Sequence, residues 1–220
     1  HSETPETTTN TGSGGARHDE EYQNLFHESY LSQIAEKPWL IFTTAWALFD
    51  FAVSGRNEGG LSYVNDKGFV TRDRTVKKDA FYLYKSYFSD TPTVYITSRR
   101  FAERTGNTIK IKVYSNCGNL KLYQNGNLIQ TLNTAASLGC VWEFDPVNFV
   151  NRTDEFVVRG TKNSIEYTDT VNFSTTNIAV TATDFTVGNN LVVLTSEEPA
   201  DNLDVNLIPE NSVGTVNWAD

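Results

Sequence analysis

The sequence predicts an α/β segment followed by an all-β domain, and two patterns indicate this division. Before Pro92, a helical periodicity, a long apolar run and a second helical segment follow one another, which is typical of an α/β barrel or a doubly wound sheet. After Pro92, short alternating segments are separated by turn residues, as in a β-sandwich of roughly immunoglobulin size. We therefore expect different structures for residues 1–90 and 91–175, and a further β module without an evident stop signal over 176–220.

The α/β segment begins with a loop and a helix. Residues 1–18 are rich in Thr, Gly and Ser, and from Asp19 apolar residues recur at spacings of three and four. The predicted apolar helix face consists of Tyr22, Leu25, Phe26, Tyr30 and Ile34. Acidic residues in the first turn suit the helix dipole, and Pro38 ends the helix.

An apolar run from Trp39 to Val53 predicts a strand that is buried on both faces, because it is rich in aromatic and β-branched residues and does not alternate. A polar loop from Asp50 to about Arg74 follows, and a second helix is predicted from Lys78. The loops that follow the strands of an α/β barrel build its active site. The polar loop is therefore the predicted location of a site.

The all-β domain is predicted from short strands and one clear turn. The stretch "TIKIKVYSN" alternates apolar and polar residues, and "LKLYQNGNLIQTL" reads as two strands around Asn125-Gly126, a strong hairpin signal. The stretches "CVWEF" and "DEFVVRG" continue the series. This spacing favours a β-sandwich.

Composition excludes several classes of function. The net charge of −9 and the lack of a basic tract argue against nucleic-acid binding. No apolar run approaches the roughly 20 residues that span a bilayer, so no membrane partner is predicted. His18 and His27 lack metal-ligand spacing, and no phosphate loop or nucleophile elbow is present, so neither a metal nor a cofactor is predicted. Two cysteines, Cys117 and Cys140, are too few for a disulfide framework, and their pairing stays open.

Five blocks occur in a characteristic order: "HSETP", "EEYQNLFHESY", "AWALFDFAVSGRNEG", "NDKGFVTRDRTVKKDAFYLYK" and "VYSNCGNLKLYQNG". In these blocks, over about residues 1–175, the chain resembles glycoside hydrolase family 2 of the β-galactosidase type. The resemblance implies that residues 1–90 are the C-terminal end of a (β/α)8 barrel and that 91–175 form the following immunoglobulin-like sandwich. It also implies that the upstream barrel and N-terminal domains are the partner of this chain; an oligomer is compatible with this. Secreted, periplasmic and cytoplasmic locations all stay open.

The same resemblance implies an activity. The family's catalytic glutamates belong to motifs upstream of His1, and retaining hydrolysis needs two carboxylates about 5 Å apart. We therefore expect the chain to be inactive alone and to contribute a substrate-binding loop to an exo-glycosidase that hydrolyses terminal β-galactosides. Two alternatives remain open: a β-glucuronidase or galacturonidase of the same family, and a non-catalytic carbohydrate-binding or structural module.

Trp46 matches the family tryptophan that lies under the sugar next to the cleaved bond. A flat indole suits the apolar C–H face of a sugar ring, but composition alone favours a core residue for Trp46. The family usually has Asn or Asp and then Met after this tryptophan. Here Ala47 and Leu48 follow, so a polar contact from the first position is lost.

Asn65 and Lys67 form an Asn-x-Lys element within "NDKG". An amide beside an ammonium can bind sugar hydroxyls, and Lys suits a carboxylate better because it carries the opposite charge. The spacing resembles the element with which β-glucuronidases of the family hold the acid group of their substrate, but β-galactosidase-type relatives also carry "NDKG". The same residues are good turn formers, so a turn is the alternative.

Arg56, Asn57 and Glu58 complete the set of candidate substrate-binding residues. Arg56 and Glu58 are close enough in sequence either to pair and stiffen the loop or to reach a sugar. Glu58 and Asp66 could be taken for a catalytic pair, but the resemblance places the catalytic carboxylates elsewhere. A one-strand barrel fragment has unpaired edges, so we expect residues 1–90 to be ordered only against a partner.

Overall fold

A computed structural model describes residues 19–58, 61–176, 185–188 and 191–194 of the chain. The chain divides into two compact units, His1–Ile178 and Ala179–Asp220. The predicted loop over 1–18, including His18, lies outside the described residues.

Both predicted helices are present in the first unit. Helix α1 spans Glu20–Ala35 and helix α2 spans Asp79–Phe88. The predicted apolar face of α1 is not its buried face, because Leu25, Phe26 and Tyr30 are exposed. The buried residues of this helix are Glu20, Gln23, Asn24, His27 and Leu31. The helix thus turns a mostly polar face towards α2 and the sandwich.

The apolar run after α1 is not a buried strand, contrary to the prediction. Within the described residues, regular strand structure begins only at β1, Phe51–Glu58, and Phe49 makes a single parallel bridge to Val70. Trp39, Ile41 and Phe42 are largely solvent-exposed. A strand is buried on both faces only when other elements pack above and below its sheet. Within the described residues, the run before β1 pairs with the rest of the chain only near its end, through the bridge from Phe49 and backbone hydrogen bonds to Phe69 and Val70.

The stretch from Asp50 to Arg74 is more regular than the predicted loop. Strand β1 pairs with β2, Leu61–Asn65, in an antiparallel hairpin whose register shifts between Ala52 and Asn57. A series of turns then leads to α2. The polar residues of this stretch predicted a loop, but polar residues are equally compatible with a hairpin that is exposed to solvent on both faces.

Ten strands follow α2 and form the predicted sandwich. They are β3 Val94–Ile96, β4 Glu103–Arg104, β5 Thr108–Ile109, β6 Lys112–Ser115, β7 Gly118–Gln124, β8 Asn127–Leu132, β9 Val141–Glu143, β10 Val147–Asn148, β11 Thr153–Lys162 and β12 Ile165–Thr175. The sheets have the strand orders β4-β12-β11-β7-β8, β3-β6-β9 and β10-β5. All pairs are antiparallel except β12 with β4.

Both main sheets contribute to one apolar core. Its buried members are Ile96, Ile109, Ile111, Val113, Cys117, Leu120, Leu122, Trp142, Phe144, Phe156, Val158 and Phe173. The alternation of apolar residues along β7 and β11 places every second side chain in this core. The predicted hairpin is confirmed, with Asn125 and Gly126 at φ 50° and 82° between β7 and β8.

A second apolar cluster joins the helices to the sandwich. It contains Leu31 of α1, Leu83 of α2, Tyr95, Tyr114, Cys140 and Val141. Cys140 is a free thiol, and so is Cys117 in the main core. Burial raises the pKa of the Cys140 thiol to about 12, which keeps it protonated and unreactive.

The second unit is described only over one hairpin. Strand β13, Phe185–Gly188, pairs antiparallel with β14, Leu191–Leu194. Apart from Thr176, the remainder of the β module predicted over 176–220 lies outside the described residues.

Candidate functional site

Trp46 lies on the surface beside the β1–β2 hairpin. Its side chain is exposed, with a relative accessibility of 67% for the residue, and its ring packs edge-on against Phe51 with centroids 5.8 Å apart. Phe51 is the cross-strand partner of Asn65. The exposed Trp46 indole therefore contacts the residue that pairs with Asn65, the first residue of the Asn-x-Lys element. Since Trp46 is exposed, it is not a core residue of the described part of the chain. The Trp46–Ala47 peptide bond is cis.

The "NDKG" segment is a turn with a fixed backbone. Asn65 is buried, and its Oδ1 accepts a hydrogen bond of 3.1 Å from the Lys67 backbone N–H. This is an Asx turn, in which the side chain of one residue fixes the peptide two positions later. Lys67 itself is half-buried. The turn interpretation is thus correct for the backbone, and it leaves the role of the Lys67 side chain as a proposal.

A buried ion pair lies behind this turn. Lys78 Nζ is 2.9 Å from Asp50 Oδ1, and both side chains are almost fully buried. The same ammonium donates to the Asp66 carbonyl at 2.8 Å, and Asp50 Oδ1 also accepts from the Gly68 N–H at 2.8 Å. A buried charge is stable only when it is paired and hydrogen-bonded, and both conditions are met here.

Helix α1 holds the turn from its other side. Gln23 Nε2 donates to the carbonyls of Lys67 and Gly68, at 3.1 and 3.3 Å. Sequence reasoning missed Gln23, Asp50 and Lys78 as contributors to the site. The one available signal was a charged residue within the apolar run, Asp50, and another directly before a helix, Lys78.

The "GRNEG" residues lie on β1. Arg56 is exposed, and the backbones of Asn57 and Glu58 pair with Ser62 and Leu61. The side chains of Asn57 and Glu58 are outside the described part of the structure. A role for these residues in stiffening the hairpin or in binding a sugar therefore remains a prediction.

His27 is a packing residue. Its ring lies edge-on to Phe69 and Tyr84, and its Nδ1 is 3.2 Å from the Tyr84 hydroxyl. Burial lowers the pKa of His27 to about 4, so the imidazole is neutral at physiological pH.

A second buried polar network joins the two helices to the sandwich. The Asp79 carboxylate accepts hydrogen bonds from Asn24 Nδ2 at 3.0 Å, from the Tyr95 hydroxyl at 2.7 Å and from the Ser98 N–H at 2.7 Å. The Asp79 N–H in turn donates to Glu20 Oε1 at 2.8 Å. Burial, reinforced by the charge of Asp79, raises the pKa of Glu20 to about 7. This network fixes α1 and α2 on the sandwich.

The described residues contain no group of three or more His, Cys, Asp or Glu side chains placed to hold a metal ion. Among the described helices, none combines the length and apolar character that crossing a membrane requires.

Comparisons with known proteins agree on one class of enzyme. The chain is 36% identical over 110 residues to a β-glucuronidase of Bacteroides fragilis, an alignment that covers 50% of this chain and 16% of that protein. A crystal structure of a putative β-galactosidase from Bacteroides fragilis is similar with a TM-score of 0.70 and 32% identity, covering 77% of this chain and 26% of that one. An FMN-binding β-glucuronidase from Faecalibacterium prausnitzii L2-6 is similar with a TM-score of 0.65 and 34% identity, covering 80% and 25%. No protein-family model matches.

The chain spans about a quarter or less of the length of each of these proteins. The predicted resemblance to glycosidases of the β-galactosidase type is confirmed, with β-glucuronidases prominent among the relatives.

Proposed function

We infer, from the premise that this chain is homologous to β-glucuronidase- and β-galactosidase-type glycosidases, that it is part of a retaining exo-glycosidase. In this proposal the chain supplies one wall of the sugar site, and polypeptide outside this chain supplies both catalytic carboxylates. The observation that carries the proposal is the exposed Trp46 indole, which stands beside the strand pair that leads into the fixed Asn65–Gly68 turn. An exposed aromatic ring at this place is available to a sugar.

A β-glucuronide is the substrate that we propose first. Lys67 would pair its ammonium with the C6 carboxylate of a uronic acid, and a charge-assisted hydrogen bond of this kind is stronger than one to a neutral hydroxyl. Two of the three relatives described above are named as β-glucuronidases. A β-galactoside, which the sequence predicts first, is the second candidate. Of the two solved structures described above, the one with the higher TM-score is named as a putative β-galactosidase.

The test compares two substrates of the longer polypeptide that contains this chain. We expect kcat/KM for 4-nitrophenyl β-D-glucuronide to exceed that for the galactoside. We expect Lys67→Ala to lower the glucuronide value by about 100-fold, because truncating one partner of a buried charge pair costs 2 kcal/mol or more. Trp46→Ala should lower kcat/KM for both substrates. Lys77→Ala, which removes an exposed lysine nearby, is the matched control and should change neither.

The possible results separate the candidates. Preferred hydrolysis of the galactoside, unchanged by Lys67→Ala, would select the β-galactosidase. Hydrolysis of neither substrate would contradict the proposed function as a whole.

A further inference from the structure

The peptide groups of the Asn65–Gly68 turn are hydrogen-bonded to three different parts of the chain. Gln23 of α1 binds the carbonyls of Lys67 and Gly68. Asp50, which precedes β1, binds the Gly68 N–H, and Lys78, which precedes α2, binds the Asp66 carbonyl. A surface turn does not need so many partners, because water can satisfy its exposed groups.

The groups that hold the turn are themselves buried. Lys78 is fully inaccessible to solvent, and its ammonium is shared between Asp50 and the turn. Packing restricts the turn as well: a Cβ built on Gly68 would lie 2.2 Å from the Asp50 backbone nitrogen and 2.3 Å from the Phe49 carbonyl carbon. The backbone on either side of Lys67 therefore has one well-defined position.

We propose that Gln23 and the Asp50–Lys78 ion pair are positioning residues for Lys67. They contact neither a sugar nor the reacting atoms in this scheme. They fix the peptide from which the Lys67 side chain extends, and so they set how well its ammonium meets a carboxylate of the substrate. This inference rests on the proposed function, because it gives the uronide-binding lysine its support.

Preorganisation of this kind affects one substrate more than another. Misplacing a binding group by about 1 Å can reduce the rate by as much as 100-fold. A galactoside has no carboxylate for Lys67 to bind, so a displaced Lys67 should weaken glucuronide binding selectively. A merely structural defect would weaken both substrates together.

The experiment compares two adjacent buried amides of α1. Gln23→Met keeps the volume but removes the two hydrogen bonds to the turn. Asn24→Leu is the matched control, because Asn24 is equally buried and donates to Asp79 instead of the turn. Each variant is measured in the longer polypeptide for kcat and KM with both nitrophenyl substrates. Hydrogen exchange at the Lys67 and Gly68 amides is measured in the same longer polypeptide.

We expect Gln23→Met to raise KM for the glucuronide by about 10-fold, to leave the galactoside within about 3-fold, and to accelerate exchange at both amides. Asn24→Leu should lower stability but leave the ratio of the two KM values unchanged. Should Gln23→Met fold poorly, Gln23→Asn, which keeps the amide but shortens its reach by one carbon, provides the same comparison.

The failures are distinguishable. If Lys67→Ala is selective for the glucuronide while Gln23→Met changes neither the KM ratio nor the exchange, the positioning role is wrong and the proposed function stands. If Lys67→Ala is not selective, the uronide assignment is wrong, and the positioning role for that substrate falls with it.

Discussion

The two parts of the first unit differ in the side chains that they bury and expose. In the sandwich, the fully buried residues are mostly apolar, as in Leu122, Phe156 and Val158. In the segment from 19 to 90, the buried residues include the charged side chains of Glu20, Asp50, Lys78 and Asp79. The same segment exposes large apolar side chains, namely Trp39, Ile41, Phe42, Trp46 and Leu48.

This difference shows which part carries its own core. The two sheets of the sandwich present their apolar faces to each other, so the hydrophobic contribution to stability is complete within the chain. The α/β segment exposes several large apolar side chains, and exposed apolar area of this kind is typical of a protein interface. The remainder of a barrel, which is the partner in the proposed function, would cover such a surface.

The sharpest test of this contrast substitutes one phenylalanine in each part. Phe156→Ala removes a fully buried ring and should lower the free energy of unfolding of the 220-residue chain by about 3–5 kcal/mol. Phe42→Ala removes a ring that is 78% exposed and should change it by less than about 0.5 kcal/mol. Urea unfolding followed by circular dichroism measures both values. Equal losses would show that residue 42 is buried in solution, and the contrast would be wrong.

The sequence predicts those features that depend on neighbours along the chain. The β7–β8 hairpin follows from Asn125-Gly126, and both helices follow from their periodicity. Their confirmation rests on local physics, because turn conformation and side-chain periodicity are set within a few residues. The sandwich is predicted by the same short-range signals, turn residues and alternating apolar residues, repeated along the chain.

The features that sequence analysis missed depend on distant partners. An apolar stripe such as Leu25 and Phe26 normally predicts the buried face of a helix, but here α1 buries Gln23 and Asn24 against groups more than 40 residues away. The Asp50–Lys78 pair likewise joins residues 28 positions apart. The composition of the chain and the spacing of its residues do not reveal such long-range polar pairs. They also do not show whether another element packs on the apolar face of a helix and buries it.

The second test compares two buried carboxylates, one in each part. Burial raises the pKa of Glu20 to about 7, and the charge of Asp79 adds to this effect. Burial alone would also raise the pKa of Asp154 in the sandwich, but hydrogen bonds from Asn125, the Val150 N–H and Gln124 lower it instead. The two groups should therefore change the free energy of unfolding with pH in opposite directions.

The sign for Glu20 follows from proton binding. Between pH 4.5 and about 7 the folded chain keeps the Glu20 proton while the unfolded chain loses it. The contribution to stability is thus complete below pH 4.5 and falls as the pH rises through 7, by roughly 3 kcal/mol in total. Glu20→Gln should flatten this part of a urea-unfolding profile, whereas Glu36→Gln, at the exposed end of α1, should not. An unchanged slope in Glu20→Gln would contradict the assignment.

The contribution of Asp154 has the opposite sign. Its pKa is lowered in the folded chain, so the stability that it adds is present above its ordinary pKa of 3.8 and is lost as the pH falls. Asp154→Asn should therefore remove stability at neutral pH and reduce the loss below pH 4. The same urea titrations measure this effect.

The smallest expected effect tests whether the β1–β2 hairpin unfolds together with the sandwich. Gly55 in β1 and Gly126 between β7 and β8 have nearly the same φ, 81° and 82°, and a Cβ would meet no atom within 4 Å at either position. An alanine therefore introduces local strain of about 1 kcal/mol at each site, because an L side chain disfavours positive φ. In the sandwich hairpin this strain should appear fully in the free energy of unfolding. If β1–β2 opens independently because its partner surface is missing, Gly55→Ala should lower the global value by much less, and its effect should appear in hydrogen exchange of the hairpin amides. Equal losses would mean that the two parts form one cooperative unit despite their different cores.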